Sequence, residues 1–174
     1  DNCPAGEQLS GGDASSNKTC TACTAGKFSD ADNASACSSH STCAEGSGLK
    51  TAGTTSTDRS CTTCTGNTYS DVNNASACSS WDTCTAGTYV SIAASASNDR
   101  TCAACTGETY SDAENDSVCS SWNTCAVGSG LTEEGTTSTD RVCSECAENT
   151  YSDAENASEC SALTTCSAGQ YVSI

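Results

Sequence analysis

Cysteine spacing constrains this chain more than any other feature. From Cys20 onward the pattern recurs every 41 residues without an insertion. The positions are Cys20, Cys23, Cys37 and Cys43, then Cys61, Cys64, Cys78 and Cys84, then Cys102, Cys105, Cys119 and Cys125, then Cys143, Cys146, Cys160 and Cys166, with Cys3 ahead of them all. Other residues keep the same register. Phe28, Tyr69, Tyr110 and Tyr151 each stand five positions after a cysteine, and Asp30, Asp71, Asp112 and Asp153 follow two later. Arg59, Arg100 and Arg141 each stand two before a cysteine. Self-similarity of this kind marks a tandem array in which each unit is one small supersecondary motif. The period divides the chain into a partial N-terminal repeat at 1–20, full repeats at 21–61, 62–102 and 103–143, and a partial repeat at 144–174.

What holds such units together follows from composition. The chain has one Phe, no Met and two Trp, its mean hydropathy is −0.41, and Ser and Thr make up about a third of it. Burial of so little apolar surface does not offset a backbone ordering cost of about 1–2 kcal/mol per residue. Disorder or covalent stapling remain, and 17 cysteines decide for stapling. That content is typical of secreted disulfide scaffolds. The expected fold is therefore small, disulfide-rich and mostly irregular, with short β-ribbons such as Thr88–Ile92 and almost no helix. About four 41-residue units are expected to follow one another as an elongated rod. Four cysteines per unit allow three pairings.

A second period overlies the first. The long loops after Cys43 and Cys125 begin with Gly-Ser-Gly-Leu motifs, whereas those after Cys84 and Cys166 carry Tyr89-Val-Ser-Ile92 and Tyr171-Val-Ser-Ile174. The true unit is a pair of repeats, as if successive units faced two environments.

Net charge is −16 with the acids spread along the chain. Nucleic acid is excluded as a partner, because phosphate binding needs a basic stripe. No stretch approaches 18 apolar residues, so membrane insertion of this segment is not expected. Secreted or cell-surface localisation follows from the cysteines, and with it an export signal lying outside this sequence.

The segment Cys105-Thr-Gly-Glu-Thr-Tyr110-Ser-Asp112, with Cys119, Trp122, Cys125 and Gly135-Thr-Thr-Ser-Thr-Asp140-Arg-Val-Cys143, resembles a tumour necrosis factor receptor cysteine-rich repeat. The likeness extends over every unit. It departs from the six-cysteine pattern of that family in lacking the pair that would flank Cys125. Near-identity of the units makes the chain similar also to long tandem extracellular repeat proteins of bacteria and protists.

The resemblance implies sequential pairing: Cys3–Cys20, Cys23–Cys37, Cys43–Cys61, Cys64–Cys78, Cys84–Cys102, Cys105–Cys119, Cys125–Cys143 and Cys146–Cys160. The chain start argues independently for the same result, since interleaving would strand Cys3 and Cys20. Each closed loop contributes roughly 3 kcal/mol in the loop-entropy model. Cys166 is left unpaired in this chain. Its partner is expected in further repeats, or in a neighbouring copy of the chain, continuing head to tail.

Catalytic chemistry finds no foothold. His40 is the single histidine and occupies the place of Trp81 and Trp122 in other units, so no Ser-His-Asp or Cys-His arrangement can be assembled. The Cys-x-x-Cys pairs recur in turns without a following helix, which favours structural disulfides over redox or zinc sites. Asp112/Glu114 and Asp153/Glu155 read as solvated turns. Asp30-Ala-Asp32-Asn33 faintly suggests a calcium loop but lacks the Gly and distant Glu of an EF-hand. No metal and no cofactor are expected. The recurring aromatics read as the small packing centre of each unit.

Asn-x-Ser/Thr sequons fall at Asn17, Asn33, Asn74, Asn115 and Asn156, the last four at one place in the unit. Covalent glycans are expected there. Near-copy units without a distinctive loop point to a structural segment of an extracellular fibre, stalk or surface appendage. The alternative is a ligand-binding receptor ectodomain or adhesin of the tumour necrosis factor receptor type.

Overall fold

A computed structural model describes residues 2–12 and 16–170. Among these residues there is no helix. Runs rich in Ser, Thr, Asn and Gly lack the spaced apolar residues a helix needs, and cysteines interrupt them every few positions. What forms instead is a series of antiparallel two-stranded ribbons.

The ribbons alternate in length. Long ones pair β1 (Glu7–Ser10) with β2 (Thr19–Ala22), β5 (Ser47–Thr51) with β6 (Ser60–Thr63), β9 (Thr88–Ile92) with β10 (Thr101–Ala104), and β13 (Ser129–Glu133) with β14 (Val142–Glu145). Two-residue ribbons pair β3 (Lys27–Phe28) with β4 (Ser38–Ser39), β7 (Thr68–Tyr69) with β8 (Ser79–Ser80), β11 (Thr109–Tyr110) with β12 (Ser120–Ser121), and β15 (Thr150–Tyr151) with β16 (Ser161–Ala162). An isolated two-stranded ribbon is marginal in water. Here each is pinned by a disulfide whose second cysteine lies within the ribbon's second strand or immediately before it.

The chain forms two compact units, Asp1–Asp82 with Ala93–Arg100, and Thr83–Ile92 with Thr101–Ile174. In the first, disulfides join Cys3–Cys20, Cys23–Cys37, Cys43–Cys61 and Cys64–Cys78. In the second they join Cys84–Cys102, Cys105–Cys119, Cys125–Cys143 and Cys146–Cys160. Among the described residues the buried apolar side chains are all cysteines: Cys3, Cys23, Cys43 and Cys64 in the first unit, Cys84, Cys105 and Cys125 in the second. The core is thus a string of disulfides rather than an aliphatic cluster.

Backbone hydrogen bonds join consecutive repeats within each unit. In the first, Gly46 N–H donates to Ser70 O at 2.7 Å, and Cys64 N–H donates back to Gly46 O at 2.8 Å. Gly87 N–H to Ser111 O at 2.8 Å and Cys105 N–H to Gly87 O at 2.9 Å do the same in the second. Gly46 and Gly87 hold φ of 80° and 89°, a region closed to most side chains. Ser29, Ser70, Ser111 and Ser152 are buried at these junctions. Each hydroxyl is satisfied by the carbonyl two residues on: Ala31, Val72, Ala113 and Ala154.

Candidate functional site

Three constellations recur or stand out. The first is a carboxylate at the end of each long loop. Asp99 Oδ1 accepts the N–H of Asp82 at 2.9 Å and of Arg100 at 2.7 Å. Asp140 Oδ1 likewise accepts from Asn123 at 2.7 Å and Arg141 at 2.8 Å. The Tyr69 and Tyr110 phenols hydrogen-bond to these same carboxylates. Burial, followed by the negative charge of Asp99 and of Asp140 respectively, holds both phenols above their ordinary range.

The aromatic at the next corner completes this centre. Trp81 Nε1–H donates to Ser95 O at 3.2 Å, and Trp122 Nε1–H to Thr136 O at 2.9 Å. Arg100 lies 5.4 Å from the Trp81 ring centroid, and Arg141 5.0 Å from that of Trp122. These are cation–π distances. Arg141 is buried and also meets Glu108 Oε1 at 3.3 Å.

In the first repeat this centre is rewired. Phe28 brings no hydroxyl, and His40 replaces the tryptophan and stacks on Phe28 at 5.3 Å. Asp58 instead takes the Ser41 hydroxyl, the N–H of Ser41 at 2.8 Å and of Arg59 at 2.7 Å, and His40 Nδ1 at 3.2 Å. Led by the Ser41 hydroxyl, these donors lower Asp58 from 3.8 to about 2 against the opposing effect of burial. His40 therefore belongs to a packing centre.

The second constellation contains the sequon asparagines. Asn33, Asn74, Asn115 and Asn156 adopt φ of 58°, 60°, 61° and 55°. Each exchanges two hydrogen bonds with a cysteine of the preceding repeat. Asn74 N–H donates to Cys43 O at 2.7 Å, while its Oδ1 accepts Cys43 N–H at 3.0 Å. Asn33 does this with Cys3, Asn115 with Cys84 and Asn156 with Cys125. Recurrence of Asn here thus has a structural cause: it tolerates left-handed backbone and its amide oxygen caps a buried N–H. Asn17 is exposed and shares neither feature.

Third is a cleft of about 290 Å³ in the second unit, lined by Tyr89, Ala104, Thr106, Thr109, Val118 and the Cys105–Cys119 disulfide. No sequence signal announces it, because its walls come from two consecutive repeats.

Asp32 Oδ1 accepts Ala5 N–H at 3.1 Å and Asn33 Oδ1 accepts Cys3 N–H at 2.9 Å, so both caps of the suspected calcium turn are spent on the adjoining repeat. Among the described residues, the one grouping of possible metal ligands is Cys3, Glu7 and Cys20. Two of those are a disulfide, which offers no thiolate. Cys166 is exposed with a free thiol. Tyr171–Ile174, the second copy of the Tyr-Val-Ser-Ile motif, lies outside the described residues. No helix among the described residues is long and apolar enough to cross a membrane.

A family model described as the TNFR/NGFR cysteine-rich region matches three consecutive segments, residues 23–61, 64–102 and 105–143. No curated protein matches the chain. Among solved structures, a chain of a human RANKL/OPG complex is similar at 23% identity and a TM-score of 0.41, over 84% of this chain and 90% of that one. A chain of a mouse RANKL–OPG complex is similar at 22% identity and a TM-score of 0.35, over 72% and 90%.

Proposed function

This chain belongs to the TNFR/NGFR cysteine-rich region family, and from that premise we propose that it is an extracellular, non-catalytic protein-binding module of the receptor-ectodomain type. The observation that carries the reading is the match of three whole repeats in tandem, which together make up most of the chain. The structure adds a physical basis. Disulfides and interlocked backbone bonds fix each repeat, leaving exposed side chains free to vary without cost to the fold. Exposed Val72, Ile92, Val118, Val127 and Leu163 are spread over such positions.

The test is direct binding. Oxidised chain is immobilised and presented with a panel of secreted proteins, with surface plasmon resonance as the readout. Saturable binding at fixed stoichiometry, abolished by prior reduction, is the expected result. Failure to bind any partner, together with concentration-dependent filaments in electron micrographs, would overturn it.

One observation favours a second reading, a structural fibre or stalk built of such repeats with copies of the chain head to tail. The same junction bonds recur at Gly6, Gly46, Gly87 and Gly128, so successive repeats are held by one rule, as a polymerising element requires. Glycans at Asn17, Asn33, Asn74, Asn115 and Asn156 fit both readings. Asn17, Asn33, Asn74 and Asn115 are exposed and Asn156 is half-buried. Where the cysteine cap occupies Oδ1, it leaves the amide nitrogen as the atom to be modified. Mass loss on enzymatic deglycosylation of native material would establish them, and unchanged mass would remove them.

A further inference from the structure

Consecutive repeats share their junction backbone bonds but differ at one pair of positions, held by Gly48 and Ala77 at one junction and by Tyr89 and Val118 at the next. Where Gly48 stands, a Cβ would come within 3.0 Å of the Ala77 and Cys78 backbone. At Gly130 a Cβ would come within 3.1 Å of Cys160 N and Sγ. A side chain added at either glycine would have to be accommodated by the next repeat. The equivalent of Gly48 and Gly130 in the intervening repeat is Tyr89, and the equivalent of Ala77 is Val118.

The junction hydrogen bond survives this exchange. Val90 N–H donates to Asp116 O at 2.7 Å, as Leu49 N–H does to Ala75 O and Leu131 N–H to Ala157 O, both at 2.9 Å. Tyr89 and Val118 consequently stand as two walls held at a fixed spacing, and the cleft lies between them and the Cys105–Cys119 disulfide. Val118 is 65% exposed, so an apolar wall of the cleft is open to a partner. The cleft is at the lower end of the range for small-ligand sites, about 300–1,000 Å³, which suits one side chain rather than a cofactor.

Charge indicates what would carry that side chain. Asp116 replaces Ala34, Ala75 and Ala157 of the other repeats, and Glu108 replaces Gly26, Asn67 and Asn149. No Lys or Arg lies between Arg100 and Arg141, while Glu108, Asp112, Glu114 and Asp116 all fall in the loop that forms one wall. The Glu108 side chain is 76% exposed even while meeting Arg141. A second copy of this chain, itself at −16, would be repelled.

We propose that the Tyr89–Val118 junction is a docking cleft for an aliphatic side chain presented on a basic protein segment. This rests on the protein-binding reading above and assigns it a place and a partner chemistry.

The test uses the full oxidised chain with 13C-labelled valine methyls and tyrosine rings. It is titrated with acetyl-Arg-Leu-Arg-amide, acetyl-Arg-Ala-Arg-amide and acetyl-Glu-Leu-Glu-amide. The leucine peptide is expected to give saturable shifts at Val118 and Tyr89. The alanine peptide should bind about tenfold more weakly, as loss of an aliphatic side chain requires, and the acidic peptide should not bind. The double variant Tyr89→Gly/Val118→Ala restores the pair used at Gly48 and Ala77, so it should keep the fold while losing the shifts. The reciprocal Gly48→Tyr/Ala77→Val should create a second responsive methyl at position 77. No shift at Val118, equal response to the acidic peptide, or shifts that persist in the folded double variant would overturn the proposal. Saturable shifts confined to other residues would overturn the cleft and leave the protein-binding reading standing.

Discussion

At the residue scale the clearest lesson concerns Asn74 and its copies. Read along the chain, a recurrent Asn-x-Ser is a glycosylation signal. In three dimensions the asparagine also occupies left-handed backbone and caps the N–H of a buried cysteine. The two roles separate by mutation. Ser76→Ala removes the sequon and should change stability by less than about 0.5 kcal/mol. Asn74→Ala should cost about 1–3 kcal/mol through lost capping and backbone strain. Denaturant melts of unglycosylated chain measure both, and equal effects would refute the capping role. Asp58 makes a second residue-scale prediction. Its folded value, about 2, lies below the ordinary 3.8. Its contribution is therefore fully present above about pH 4 and is lost as pH falls towards 2. Amide resonances of Ser41 and Arg59 should move over that window, and Asp58→Asn should abolish the movement. His40, which looked like a simple repeat substitution, proves to be part of a coordinated exchange of Phe28, His40 and Ser41 around that carboxylate. Single-position reading could not join residues so far apart in the chain.

Among the elements, the ribbon architecture was legible and the junctions were not. A 41-residue cysteine period, few apolar residues and abundant turn formers leave short ribbons pinned by disulfides as the available structure, and the sixteen short strands among the described residues are of that kind. The alternation of Gly-Ser-Gly-Leu with Tyr-Val-Ser-Ile was equally visible. Its meaning was not, since Gly48 is explained by Ala77 and Cys78, which belong to the following repeat. Ser70 and Ser111 escaped notice for the same reason: a serine in a serine-rich chain carries no signal until its carbonyl is seen accepting from Gly46 or Gly87 of the preceding repeat. The junction rule can be tested away from the cleft. Gly130→Tyr, without a compensating change at Cys160, should cost about 1–3 kcal/mol by overpacking. Hydrogen exchange should quicken in β13 and β14 while β9 and β10 stay protected. Uniform exchange across all four strands would show that the glycine is not what sets the contact.

For the whole molecule, the question is what replaces a hydrophobic core. The buried apolar side chains among the described residues are cysteines, and each belongs to a disulfide. Valines, leucine and isoleucine that would form a core elsewhere, such as Val118, Leu163 and Ile92, are instead more than half exposed. Loops of this length each contribute roughly 3 kcal/mol, and eight of them exceed the net stability of about 5–15 kcal/mol usual for a domain. The disulfides are thus required for folding and not an addition to it. Full reduction at neutral pH and 25 °C should therefore unfold the chain without heat or denaturant. Trp81 and Trp122 should report the loss, because unfolding separates their rings from the Arg100 and Arg141 guanidinium groups lying over them. Native-like emission and near-UV dichroism after complete reduction would mean that the interlocked backbone bonds suffice. A net charge of −16 opposes that outcome: once the staples are cut, self-repulsion among the acids favours the expanded chain, and added salt should slow the unfolding by screening it.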